Sequence, residues 1–347
     1  MDYQEQKKIL PINKPFISLY TQHAHLLSIL AAHEETYPWI YSNYIQVYYD
    51  KNIDWADFYF SLPREIRPSE SCSWISTSKI YRNDIIPIWN SIINFIIYYI
   101  NNDCYVHTML NYYYISLSRR YQHDHLEHDM LIYGYDVQNK LFYVADFFKD
   151  WKYIFETISF AEIETAFLNL KYVTNYDYLN GLTYIYKYNP NCDYNFNKNN
   201  IISSIINYMK PYTPEYWNSI NSADGNNKVY GCEIYDALTY YLMSKAAILK
   251  RFIDVRPFCL LLEHKKMMLR RLEYLLAQNI IPYEKKNLYD KYKNIRDDVF
   301  IILSLTLKFQ LTADESIINK LAIMLPETCL KENELLMSIF DGISWIN

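Results

Sequence analysis

The residues of this chain best suited to chemistry are a histidine and an aspartate 18 positions apart, His128 and Asp146. They lie in two β-branched and aromatic runs, 128–135 and 141–147, which a short polar turn separates. This pattern predicts an antiparallel hairpin, in which the first residue of one strand lies close to the last residue of its partner. A carboxylate that accepts the Nδ1–H of an imidazole fixes the tautomer and leaves Nε2 free for proton transfer. The same pair could instead only hold the hairpin together, and the residue types leave both roles open.

The segments around this hairpin predict mixed helix and strand. Apolar spacing indicates helices, and β-branched or aromatic runs indicate strands. Ser159 and Glu162 have the spacing of a capping box. In chain order, we expect helices over 21–35 and 85–100, strands over 104–116 and 151–159, and a helix from 159 to 170.

The sequence pattern changes near residue 175. Residues 175–200 are rich in Asn and Tyr and have no clear period, and the chain beyond them is mainly of helical type. Helices are expected over 198–210, 231–253, 257–278, 285–310, 314–324 and 332–340. We therefore predict an α+β protein of two domains: one with an antiparallel sheet over 1–175, and a mostly α-helical one over 176–347.

Composition excludes several classes of protein. Only 5 residues are glycine, and their spacing forms neither of the glycine-rich loops that bind nucleotides. Lys and Arg number 34 against 39 Asp and Glu, so the chain has no basic excess for nucleic acid. The most apolar run, 85–100, is too short and too polar to span a membrane, and the first residues do not read as a signal peptide. The 6 cysteines form no C-x-x-C pair, and no cysteine lies near the histidines of 123–128. These features predict a cytoplasmic protein with free thiols, no metal site and no membrane or nucleic-acid partner.

The stretch Tyr121–Phe148 (YQHDHLEHDMLIYGYDVQNKLFYVADFF) resembles the His/Asp hairpin of papain-like cysteine peptidases. Within that fold it is similar to the bacteriocin-leader peptidases and the butirosin-H-type acyltransferases, which include closthioamide-type amide synthetases. Two further stretches fit, His33–Val47 and Tyr105–Tyr114, so the resemblance covers roughly residues 10–175. It implies a papain-like N-terminal domain, and it leaves the helical half without a matching motif.

The family places a nucleophilic cysteine at the N-terminus of its first core helix, where N–H groups and the helix dipole lower a thiol pKa and bind an oxyanion. The corresponding helix here, 21–35, contains no cysteine. In the leader-peptidase pattern C-x-x-A-x-L-x-x-I, Thr21 occupies the cysteine position. In the papain-like pattern, Gln22 is the oxyanion glutamine and Ala24 occupies the cysteine position. Alanine is the usual replacement for a catalytic cysteine, which favours Ala24, with Thr21 as the alternative and His23 as a further residue of the site.

The resemblance implies an acyltransferase or amide synthase of thiotemplated, nonribosomal antibiotic biosynthesis. A cysteine would attack a thioester, His128 would act as the base, and Asp146 would orient His128. The implied partners are an acyl or peptidyl carrier protein and a small amine. The phosphopantetheine arm is then a substrate carrier, and no cofactor is expected. The alternatives are a cysteine peptidase or thioesterase of the same fold, or a catalytically inactive binding homologue.

An amphipathic run in the second half offers a surface for the carrier protein. Residues 260–276 predict a helix with a cationic face that could dock an acidic protein or a phosphate group. The cationic residues are Lys265, Lys266, Arg270 and Arg271.

Overall fold

The computed structural model describes residues 5–59, 67–149, 152–170, 181–211, 227–249 and 253–341. The strands among them are β1 Lys7–Ile9, β2 Gln46–Asp50, β3 Trp55–Tyr59, β4 Ile75–Tyr81, β5 Cys104–Asn111, β6 Glu127–Asp136, β7 Leu141–Phe147, β8 Tyr153–Ser159, β9 Leu182–Tyr188 and β10 Lys228–Tyr230. The helices are α1 Thr21–Leu30, α2 Tyr37–Ser42, α3 Pro68–Ser71, α4 Arg82–Trp89, α5 Ile92–Asn101, α6 Phe160–Leu168, α7 Lys198–Met209, α8 Ile234–Leu249, α9 Arg256–Ala277, α10 Lys286–Thr312 and α11 Glu315–Phe340. The expected α+β class with a helical C-terminal region is confirmed.

The chain divides into two compact units. The first unit comprises Met1–Tyr37 and Arg64–Tyr194, and the second comprises Pro38–Pro63 and Asn195–Asn347. The boundary expected between residues 175 and 176 falls within 171–180, outside the described residues. Strand pairing explains the extent of the first unit, because β9 follows that boundary and pairs with both β4 and β5. The interpretation of 175–200 as irregular is therefore wrong for β9.

The first unit is built on one antiparallel sheet with the strand order β4-β9-β5-β6-β7-β8, and β1 adds to β6. The expected hairpin is confirmed as β6 and β7, which pair from Asp136 opposite Leu141 to Leu131 opposite Ala145, with an irregularity near Ile132. On its other side β6 pairs with β5, where Leu110 lies opposite His128. The first residues of β6 are therefore held by the end of β5, and pairing with β7 begins at Leu131.

Local chemistry explains where several elements begin and end. The capping box is confirmed, since the Glu162 N–H donates to Ser159 Oγ at 3.2 Å while a Glu162 carboxylate oxygen accepts from the Ser159 N–H. The single helix expected over 85–100 is instead the pair α4 and α5. Asn90 adopts a left-handed conformation (φ 65°), and the Ser91 hydroxyl then caps α5 by accepting from the Asn94 N–H.

The second unit combines a three-stranded antiparallel sheet, β10-β2-β3, with helices α7 to α11. The two helices expected over 314–324 and 332–340 are one continuous helix, α11, with Pro326 inside it. No helix in the described part of the chain is both long and apolar enough to cross a membrane.

Candidate functional site

The predicted contact between His128 and Asp146 is present. His128 Nδ1 lies 2.8 Å from Asp146 Oδ2, and the hydroxyl of Tyr112 donates to the same oxygen. Asp146 is fully buried, whereas 30% of the His128 side chain is exposed. No described residue forms a hydrogen bond with His128 Nε2. The ring is thus held through Nδ1 and presents Nε2 toward the accessible side, as a group that transfers protons must.

The two carboxylates near His128 favour its protonated form. Burial alone would lower the pKa of His128, but the charge and hydrogen bond of Asp146, together with the charge of Asp129, raise it to about 10. Burial and the adjacent Asp146 carboxylate raise the pKa of Tyr112 well above its usual value, so that Tyr112 stays a hydrogen-bond donor. The resting site therefore holds an imidazolium paired with a buried carboxylate.

The N-terminal end of α1 lies beside this pair. Thr21 is the first residue of α1, is half-buried, and donates its hydroxyl to Asp129 Oδ1 at 3.0 Å. His128 Nδ1 lies 3.9 Å from that same oxygen. The same oxygen of Asp129 is thus close to both the Thr21 hydroxyl and the His128 ring.

The other candidate residues of α1 occupy different environments. Ala24 has no exposed surface, and its N–H donates to the Tyr20 carbonyl oxygen at 2.9 Å. The N–H of His23 donates to the same carbonyl at 3.1 Å, so both N–H groups are engaged within the first helical turn. The His23 ring is buried, and its Nε2 lies 3.4 Å from Nε2 of the half-buried Gln22. Of the two positions considered for a nucleophile, Thr21 is half-buried and shares Asp129 with His128, whereas Ala24 is fully buried.

Sequence reasoning missed the group that surrounds Asp129. His107 Nε2 contacts Asp129 Oδ2 at 2.8 Å, and His107 Nδ1 contacts the Tyr186 hydroxyl at 2.8 Å. His25 Nδ1 contacts the Tyr153 hydroxyl at 2.7 Å. Burial alone would raise the pKa of Asp129, but the hydrogen bond from His107 and the charge of the protonated His128 hold it well below its usual range. Burial lowers the pKa of both His25 and His107, most strongly for His25.

Part of this group could have been found from the sequence. His25 follows Thr21 by four positions, so the two share a helix face. His107 lies in a strand that the sequence predicted, but its contact with Asp129 depends on the β5–β6 register, which places Met109 opposite Asp129. That register follows from the paired strands and not from either segment alone.

Two cysteines of the first unit, Cys104 and Cys72, do not replace the absent nucleophile. Cys104 is the first residue of β5, whereas Leu110, six positions later, lies opposite His128. At about 3.4 Å per residue, this places Cys104 roughly 20 Å along the strand from the imidazole. Cys72 is buried, and burial raises the pKa of its thiol, which makes it unreactive.

The expected cationic face of α9 is only half exposed. Lys266 and Arg270 are exposed, but Lys265 and Arg271 are fully buried within the second unit. Lys265 Nζ contacts both carboxylate oxygens of Glu332 at 2.7 Å, and Arg271 donates to backbone carbonyl oxygens such as that of Tyr41 at 2.6 Å. The expectation of a four-residue cationic docking surface is therefore wrong, because two of these cations stabilise the core.

Comparison of the sequence with protein-family models gave no match, and comparison with curated proteins gave none either. The site is therefore interpreted from its own geometry.

Proposed function

We propose that the first unit is an acyltransferase of papain-like architecture that moves an acyl or peptidyl group from a carrier-protein thioester to a small amine. The observation that supports this proposal is the His128–Asp146 contact of 2.8 Å beside the N-terminus of α1. A buried carboxylate that orients a partly exposed imidazole is the proton-transfer part of nucleophilic acyl-transfer sites. In this proposal the protein works in the cytoplasm, with the phosphopantetheine arm delivering the substrate.

The chemistry at Thr21 favours direct attack by the amine. The Thr21 hydroxyl donates to a carboxylate whose pKa lies well below its usual range, so Asp129 is too weak a base to remove the proton. The amine nitrogen then attacks the thioester carbon, the C–N bond forms, and the C–S bond breaks. His128 protonates the departing sulfur and takes the proton that the nitrogen releases, which returns the ring to its starting state.

A second candidate function has its own supporting observation. Because Thr21 is held by Asp129 and no thiol stands at the start of α1, the unit could bind an acylated carrier without turning it over. This binding homologue would keep the papain-like architecture and the His128–Asp146 pair as structure only.

The experiment that tests this proposal is incubation of the full chain with acyl-pantetheine thioesters and a panel of amines. The products are then identified by mass spectrometry. The variant is His128→Gln, and the matched control is His123→Gln, because His123 is exposed. We expect amide formation by the parent chain and the control, and its loss in His128→Gln.

Each other outcome has a distinct meaning. Release of the free acid with every amine would identify a thioesterase or peptidase of the same fold. Saturable binding of acyl-carrier protein without turnover, unchanged in His128→Gln, would identify the binding homologue. Amide formation that persists in His128→Gln would refute the role proposed for this residue.

A further inference from the structure

A second group of side chains in the first unit has the composition of a metal site. His25, His107 and Asp129 each offer one ligand atom, and these three atoms lie within 4.8 Å of one another. The His25 and His107 rings meet edge to face, with centroids 4.6 Å apart. All three side chains are buried, with exposures of 1%, 0% and 4%. Two imidazoles and one carboxylate form a donor set that divalent first-row transition metals take in proteins.

The outer contacts of both histidines are those of metal ligands. His107 Nδ1 is paired with the hydroxyl of Tyr186, and His25 Nδ1 is paired with that of Tyr153. Metal-bound histidines are usually held in this way, with the second ring nitrogen hydrogen-bonded to a neighbouring group that fixes the ring. A hydroxyl can donate or accept, so each tyrosine keeps its bond whichever nitrogen of the imidazole carries the proton.

One ring nitrogen of His25 gives a separate indication of metal binding. His25 Nε2 is buried and none of the described residues forms a hydrogen bond with it, although the other ring nitrogen is bonded. A buried polar atom without a partner loses the hydrogen bonds it makes to water, a loss that a native fold avoids unless another group bonds to that atom. Since Nδ1 is taken by Tyr153, Nε2 is the atom that His25 offers to the group.

We propose that His25, His107 and Asp129 bind a divalent first-row transition metal ion, with Zn²⁺ and Co²⁺ as suitable probes. The His107–Asp129 hydrogen bond of 2.8 Å occupies the place of one metal-ligand interaction, and its proton leaves when the ion binds. Ligand atoms around tetrahedral zinc are separated by about 3.3 Å, so the ring of His25 has to approach the other two ligands by roughly 1.5 Å or less. This proposal departs from the sequence-based expectation of no metal site, which considered only 123–128 and the cysteines.

The test is titration of the full chain, purified with chelator, with Co²⁺ while its visible absorption is recorded, followed by displacement with Zn²⁺. We expect one Co²⁺ per chain, ligand-field bands without the intense near-ultraviolet band of cobalt–thiolate bonds, and quenching of these bands by Zn²⁺. The His25→Gln and His107→Gln variants should each lose at least about tenfold in affinity. The matched control is His33→Gln, since His33 lies in the same unit and stacks on Tyr188 outside the group.

Circular dichroism would reveal a variant that fails to fold. Titration of the parent chain still tests the proposal in that case. Absence of stoichiometric Co²⁺ binding to the folded parent chain would overturn the proposal. A thiolate band would assign the metal to cysteines and overturn it as well. Equal affinity in folded His25→Gln, His107→Gln and parent chains would show that the ion binds elsewhere.

Discussion

Replacing Asp146 by Asn measures how much the buried carboxylate contributes to the function of His128. The substitution preserves side-chain shape, removes the charge, and leaves an amide oxygen that can still accept one hydrogen bond. In the structure, Asp146 Oδ2 accepts from both His128 and Tyr112, and Asp146 is fully buried. The change therefore affects charge more than packing.

The structure sets limits on the size of the effect. At 2.8 Å, two unit charges attract by about 6 kcal/mol with an effective dielectric constant of 20, which is an upper limit. The net contribution of a hydrogen bond to a charged group is about 1.5–3 kcal/mol. If the imidazolium is needed in the transition state, the rate of acyl transfer should fall roughly 10- to 150-fold. Full loss of activity would require more than the loss of this one contact.

The assay is single-turnover transfer from an acyl-pantetheine thioester to an amine, with the unfolding temperature measured in parallel. Tyr112→Phe is the matched comparison, because it removes the other donor to the same oxygen and leaves the charge in place. We expect this variant to slow transfer less than Asp146→Asn does, because it removes one hydrogen bond to the carboxylate but keeps the charge that pairs with the imidazolium. Parent-level activity of Asp146→Asn, or equal losses in both variants, would refute the charge-based role of Asp146.

Three further predictions concern packing and accessibility. Lys265→Met should lower the free energy of unfolding by about 3–5 kcal/mol in denaturant titrations, because it leaves the buried Glu332 charge unpaired; adding Glu332→Leu should recover much of this loss. Ser159→Ala should cost about 0.5–2 kcal/mol in the same titrations, since it removes a helix cap. Thr21→Cys should react with iodoacetamide, as followed by peptide mass spectrometry, whereas Ala24→Cys should stay unlabelled; the reverse pattern would contradict the placement of Thr21 at the accessible end of α1.

The sequence pattern was sufficient to predict those elements that depend only on residues close together in the chain. The hairpin of β6 and β7 has alternating apolar residues around a polar turn, and both of its strands were predicted to within one residue. The α6 cap is set by Ser159 and Glu162, three positions apart, and needs no distant partner. By contrast, β9 lies in an Asn- and Tyr-rich segment, and it becomes a strand because it pairs with β4 and β5 from distant parts of the chain.

The same distinction applies to the site. The pairing of His128 with Asp146 was predictable because a hairpin brings the two strand ends together. The contact of His107 with Asp129 was not, because it depends on the register between β5 and β6, whose connection contains 15 residues. The burial of Lys265 was missed for a related reason: its partners Glu332 and Tyr208 belong to helices far away in sequence, and a helical pattern alone assigns a lysine to the surface.

Asp129 connects the two proposals and also shows how to separate them. Its Oδ1 accepts from Thr21 and lies 3.9 Å from His128, while its Oδ2 contacts His107. A metal ion bound at Oδ2 would withdraw negative charge from His128 and from the end of α1, so substitution of Asp129 would disturb acyl transfer and metal binding together. His25 and His128 each belong to one group only. His25→Gln should therefore lower cobalt affinity while acyl transfer by the metal-free chain stays near the parent rate. His128→Gln should abolish acyl transfer while cobalt affinity stays near that of the parent chain. Loss of both properties in each variant would mean that the two groups act as a single site.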